Sequence, residues 1–222
     1  MATVGFLHTA HAHVRTFRDL LHQRDETVAG LHLVDTGLLA AARARGAASV
    51  RDALADRLRR LVAEGAELVL TTCSETGPEA ERVGAEVGVR VLRVDRPMAE
   101  AAVLAGRRIA LVSSLDDAAA ALRPLLHESA AATGREVQLV EVRCLDAWPS
   151  FESGDLETYS ASVADTVRRE VRALRPPVDV VVLAQASMIG AAPLLRDLDL
   201  PVLTSPRLAV EAVVEMVVPI GR

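Results

Sequence analysis

Lysine is absent from the 222 residues, so all 25 basic side chains are arginine. That absence excludes an internal aldimine with pyridoxal phosphate, a Schiff-base aldolase and a Walker A nucleotide loop, each of which needs a lysine nitrogen. Cysteine is scarce. Cys73 and Cys144 are the only two, too few for a disulfide framework in a chain this long and in keeping with a reducing compartment, where a thiol stays free to react. Aromatic residues make up 2% of the chain, which leaves little for a stacking platform and favours an aliphatic over an aryl ligand. Long apolar runs are also missing. Half the residues are hydrophobic, yet no run reaches the roughly 18–20 residues of a membrane span, and the opening MATVGFLHTAHAH lacks a basic stretch followed by an apolar core. A cytoplasmic protein with no membrane partner is expected. A nucleic-acid partner is not expected either. The formal net charge is −5, and groups such as Arg57, Arg59 and Arg60, or Arg168, Arg169 and Arg172, alternate with acids as solvated helix faces do.

What is present is a regular alternation. Short β-branched runs separated by longer amphipathic stretches predict parallel strands joined by crossover helices. Strands are expected over 3–7, 28–34, 67–71, 89–94, 108–112, 137–142, 179–183 and 201–203. Runs such as ELVLTT and VDVVVLA are apolar throughout, which means sheets covered on both faces. Ser49 is positioned to cap a helix that stops at Gly65, Ser205 one that opens with Pro206, and Pro78 marks a third helix start. Residues 155–175 read as another helix, ended by Pro176 and Pro177.

The chain also repeats itself. VGFLHT answers IALVSS, ELVLTTCSETGP answers DVVVLAQASMIGAAP, and GVRVLRVDRPMAEAAV answers DLPVLTSPRLAVEAVV, in order and at offsets of about 105 to 112 residues. Ordered matches at similar offsets predict two like α/β halves, residues 1–97 with 206–222 and residues 98–205. In parallel sheets, ligands meet the carboxyl ends of strands. Those ends carry His8 and Thr9, Asp35, Thr72 to Thr76, Asp95, Ser113 and Ser114, Cys144, and Gln185 to Ser187.

TTCSETGP, VDRPMAEAAV and VGFLHT together resemble the aspartate/glutamate racemase superfamily, which includes glutamate, aspartate and hydantoin racemases, maleate cis-trans isomerases and arylmalonate decarboxylase. The likeness covers nearly the whole chain. It implies two pseudo-symmetric α/β halves, each a four-stranded parallel sheet flanked by helices, with an active site between them, no cofactor and a small carboxylate substrate. It also implies a cysteine after the third strand of each half. Cys73 fills the first place, whereas Gln185 stands where the second cysteine would be.

Cys73 precedes an expected helix start at Pro78, and free backbone N–H groups there favour a thiolate and receive an anion. The alternative is a buried, inert cysteine. Ser74, Glu75 and Thr76 beside it, with Thr9, Ser113 and Ser114 at neighbouring strand ends, are the expected substrate contacts. Gln185 can donate through its amide but has no proton to exchange, so it is read as a binder, with the Ala186 N–H and Ser187 hydroxyl as a carboxylate cradle or a plain helix cap. His8 is a candidate acid or base opposite Cys73, or a cap, and Cys144 a candidate second thiol or a core residue. Asp35 and Asp95 read as substrate-amine ligands or caps. His8, His11 and His13 do not suggest a metal site, because positions 11 and 13 point to different sides of a helix. The expected activity is isomerisation of a small carboxylate with Cys73 as nucleophile or acid/base. The alternatives are a decarboxylating lyase and a non-catalytic acid binder. Apolar helix faces allow a homo-oligomer.

Overall fold

The computed structural model describes residues 2–218. They form, in order, β1 (Thr3–His8), α1 (Ala12–Arg24), β2 (Ala29–Val34), α2 (Thr36–Arg45), α3 (Arg51–Ala63), β3 (Leu68–Thr71), α4 (Gly77–Val87) and β4 (Val91–Arg93). There follow α5 (Arg96–Ala105), β5 (Arg108–Ser113), α6 (Asp116–Ala132), β6 (Gln138–Arg143), α7 (Trp148–Glu152), α8 (Leu156–Ala173), β7 (Val180–Leu183), β8 (Val202–Thr204) and α9 (Ser205–Val217). Two compact units result. One runs to Val94 and resumes at Pro206, and the other covers Asp95–Ser205. Residues 219–222, given to the first half from the sequence, lie outside the described residues.

Each unit holds one four-stranded parallel sheet, in the order β2-β1-β3-β4 and β6-β5-β7-β8 respectively. The registers match: Leu7 pairs with both Leu33 and Thr71, and Val112 with both Val142 and Leu183. β3 and β7 are buried at every position, as continuous apolar runs between helical layers should be. In the first unit the period-2 alternation of a strand divides the core. Val4, Phe6, Leu68, Leu70 and Leu92 pack with Phe17 and Leu21 of α1 and with Ala209, Val210, Val213 and Val214 of α9. Leu7, Leu33 and Val69 pack on the other face with α2, α3 and α4. Fully burying a side chain such as Phe6, Leu58 or Leu70 contributes about 1.5–3 kcal/mol.

Several expected boundaries shift for local reasons. β4 is three residues rather than six, because Gly88 takes a left-handed conformation (φ 74°) and the Val89 N–H returns 2.9 Å to the Gly84 carbonyl to close α4. Ser49 does not cap α3 with its side chain. It sits in a short 3-10 turn (Ala47–Val50) and donates 2.7 Å to the Gly46 carbonyl. Ser205 lies inside the first turn of α9, and among the described residues its buried Oγ has no hydrogen-bond partner, so the expected cap bond is not made. Asp155 does cap α8, its carboxylate accepting from the Thr158 N–H at 3.0 Å.

Candidate functional site

A sheet ordered 2-1-3-4 reverses direction of winding beside its first strand, and in such sheets the helices on either side of that switch leave a crevice at the strand carboxyl ends. The switch falls between β1 and β3 in the first unit and between β5 and β7 in the second. His8 ends β1 and Thr72-Cys73 follow β3, while Ser113-Ser114 close β5 and Gln185 to Ser187 follow β7. The expected residues are therefore gathered at the two places where this topology binds ligands.

In the first unit, Thr72 extends the β1–β3 ladder by one bond, its N–H donating to the Leu7 carbonyl at 3.0 Å, and Cys73 leaves the sheet immediately afterwards. Cys73 is 7% exposed and belongs to none of the three apolar clusters among the described residues. A turn over 74–76 leads into α4, with Thr76 at the N-cap position and Pro78 in the first turn. His8 is fully buried. Its Nδ1 lies 3.0 Å from the Thr72 hydroxyl and its Nε2 2.9 Å from Nδ1 of His32. The Phe6, His8 and His32 rings stack within 10–15° or less of parallel. Burial first, then the neighbouring His32 and His13, push the His8 imidazole down to about 3. It is neutral at physiological pH, so it acts as a hydrogen-bonding group and does not serve as a charged acid.

Other expected contacts have partners of their own. The Glu75 carboxylate accepts from Arg43 of α2 at 2.9 Å, which ties it to an ion pair instead of leaving it for substrate. Asp35 caps α2 through the Gly37 N–H at 3.0 Å and also accepts from Arg57 at 3.0 Å. Ser74 and Thr9 are half-buried, Thr76 and Asp95 fully buried, with Asp95 at the N-cap position of α5. Both ring nitrogens of His8 are engaged, and among the described residues no group of three or more His, Cys, Asp or Glu side chains converges as a metal site requires. Arg93 is a residue that the sequence reading passed over. It ends β4 at 4% exposure, packs against Gly77 so closely that an added Cβ there would lie 3.0 Å from the Arg93 Cβ, and donates 3.4 Å to the Ser74 carbonyl. A lone charge between Leu92 and Val94 is the signal that could have found it.

In the second unit, Gln185 is locked. Its Oε1 accepts from the Ser114 N–H at 2.7 Å and from the Ser114 hydroxyl at 2.9 Å. Because a backbone N–H only donates, the oxygen must face Ser114 and the amide NH2 must point away. Ser114 and Ser187 each lie 3.0 Å from the Tyr159 hydroxyl. Tyr159, the chain's one tyrosine, is fully buried on the stripe of α8 formed with Val163, Val167 and Val171. A buried phenol must find partners, and this one was also missed from sequence. Ser187 is not a helix cap. It lies within a 3-10 segment (Ala186–Leu198) whose N-cap position is Gln185. Ala186 is half-buried next to it, and Ser113 is buried at the last position of β5, outside the hydroxyl network. Cys144 is 3% exposed in the apolar cluster around Val142, Tyr159 and Val163, and burial pushes its thiol up to about 11. It is a core residue and offers no second thiolate.

Solved structures with the same fold include an aspartate racemase from Picrophilus torridus, with 13% identity over 98% of this chain and 94% of that one and a TM-score of 0.71. A glutamate racemase from Aquifex pyrophilus shares 17% identity over 97% and 84% of the two chains, with a TM-score of 0.67. A variant of arylmalonate decarboxylase solved with sulfate shares 18% identity over 97% and 93%, also at 0.67. No curated protein sequence matches the chain. The family model described as Asp/Glu/Hydantoin racemase matches residues 3–213, and the chain belongs to that family.

Proposed function

We propose that this member of the family is a cofactor-independent isomerase of a small carboxylate, with Cys73 as its nucleophile or acid/base. The observation that carries the reading is the contrast between the two thiols. Cys144 is embedded in an apolar cluster and held protonated, whereas Cys73 leaves the sheet at the switch point, beside a helix start and the His8–Thr72 pair. A single thiol favours the cis-trans type of isomerisation. The thiolate adds to one alkene carbon of an unsaturated diacid while the π pair moves into the adjacent carboxylate. Rotation about the resulting single bond follows, and the same pair returns to re-form the alkene and expel the thiolate. No net proton is needed. Backbone N–H groups at the start of α4, just after Cys73, are suited to the carboxylate that receives the electron pair.

A second reading, decarboxylation with Cys73 protonating the enediolate from one face, also needs only one thiol, and an arylmalonate decarboxylase shares the fold. Three assays on the purified chain separate the outcomes: maleate-to-fumarate conversion, carbon dioxide release from malonates, and deuterium wash-in at the α-carbon of aspartate or glutamate. Cis-trans turnover that disappears in Cys73→Ser by at least about 1000-fold supports the proposal. Turnover that survives Cys73→Ser, or no turnover together with unprotected alkylation of Cys73 by iodoacetamide in the presence of these acids, sinks it.

A further inference from the structure

The hydroxyl network of the second unit has a direction that can be read atom by atom. Gln185 Oε1 can only accept, so the Ser114 hydroxyl, 2.9 Å away, spends its single proton on that oxygen. The reverse orientation would set two lone pairs against each other at that distance. Tyr159 must then donate to Ser114 Oγ across 3.0 Å, since Ser114 has no second proton to give. The phenol's one proton being used, Ser187 donates to Tyr159 across the other 3.0 Å contact. The chain ends with two partly exposed groups: the Gln185 NH2, with donors only, and Ser187 Oγ, whose proton is committed and whose lone pairs remain. Burial holds the phenol above its ordinary value, so the Tyr159 proton that fixes this order stays in place at neutral pH.

The geometry points to Tyr159 as a positioning residue that makes Ser187 a pure acceptor beside the Gln185 donor, so that the second unit selects a hydroxy-carboxylate: a carboxylate held by the Gln185 amide and a neighbouring hydroxyl that donates to Ser187. This departs from the expectation that Ser187 donates to a carboxylate. The preference is for a hydroxyl and not an ammonium, because Ser114, Tyr159, Gln185 and Ser187 are all neutral, and one neutral oxygen leaves a cation's charge and two of its protons unanswered. The segment that carries Ser187 is packed against α8, where a Cβ at Gly190 would collide with the Ser160 side chain, one residue beyond Tyr159. The inference rests on the small-carboxylate reading above but does not depend on Cys73 chemistry.

Isothermal titration with malate and succinate, two diacids differing by one hydroxyl, tests it on the full chain and on Tyr159→Phe and Ser187→Ala. The wild type is expected to bind malate at least about fivefold more tightly than succinate, the scale of one half-exposed hydrogen bond. Tyr159→Phe frees the Ser187 proton and should reduce the ratio below about twofold while succinate affinity moves less than about threefold, a split that a merely structural loss would not produce. Ser187→Ala keeps the buried phenol and its bond to Ser114, removes only the donor to its oxygen, and should abolish the preference; it decides the matter if the phenylalanine variant does not fold. No preference in the wild type, binding of neither acid, or a preference that persists in either folded variant overturns the inference. Repeating the titration on Cys73→Ser separates the two ideas: malate preference retained without turnover in any wild-type assay discards catalysis alone, and Cys73-dependent turnover without preference discards this inference alone.

Discussion

Because burial and the neighbouring His32 and His13 push His8 down to about 3, the folded chain refuses a proton that the unfolded chain accepts near 6.5. Between those two values the unfolded state binds more protons, so stability is fully present above about pH 6.5 and declines as the pH falls through that window. The burial-lowered His32 and His13 act in the same sense. Urea midpoints measured from pH 7.5 down to 4 should fall, and His8→Gln, which keeps hydrogen-bonding capacity without a titrating ring, should flatten the decline. At the same scale, Cys144 should resist iodoacetamide at pH 8 in the native protein and react only after denaturation, as followed by intact mass. The residue-level reading of the sequence placed His8, Cys73 and Gln185 at strand ends, which can be seen in one dimension. It missed Tyr159 and Arg93 because their partners, Ser114, Ser187 and Ser74, are brought to them only by folding. Glu75 misled for the same reason: its pairing with Arg43 joins residues that are 32 positions apart.

The elements depend on a few close approaches. Gly84 of α4 lies over β4, where an added Cβ would meet Val91 and stand 2.8 Å from the Val89 carbonyl oxygen. A backbone atom cannot swing aside as a long side chain can. Gly84→Ala is therefore expected to cost about 1–3 kcal/mol, despite alanine's better helix propensity, and to lower the thermal midpoint. Buried Glu79, held by Arg51 at 2.8 Å and Arg82 at 2.7 Å, links α3 to the first turn of α4. All eight strands were visible beforehand as short β-branched runs, and the unbroken apolar ones, β3 and β7, are those covered on both sides. Their ends were not, since β4 is shortened by how α4 closes and not by its own β-branched residues. The caps at Ser49 and Ser205 were misjudged because a hydroxyl in the right position still chooses among the acceptors that tertiary structure offers.

On the scale of the whole molecule, the repeated motifs correspond to two sheets with the same strand order and matched registers. No helix among the described residues is long and apolar enough to cross a membrane. The first unit is interrupted. Val4, Phe6, Leu68 and Leu70 find one covering layer in α9, whose residues come after the whole second unit. A chain ended at residue 205 should therefore expose that face, bind a hydrophobic dye and lose the unfolding transition of its first unit, as judged by circular dichroism and dye fluorescence. During synthesis on the ribosome, the same arrangement reverses the order in which the parts mature. The later-translated unit has all of its pieces first, and the earlier one waits, one flank bare, for α9 to emerge from the exit tunnel. Any chaperone that follows the nascent chain should dwell on the opening ninety residues longest.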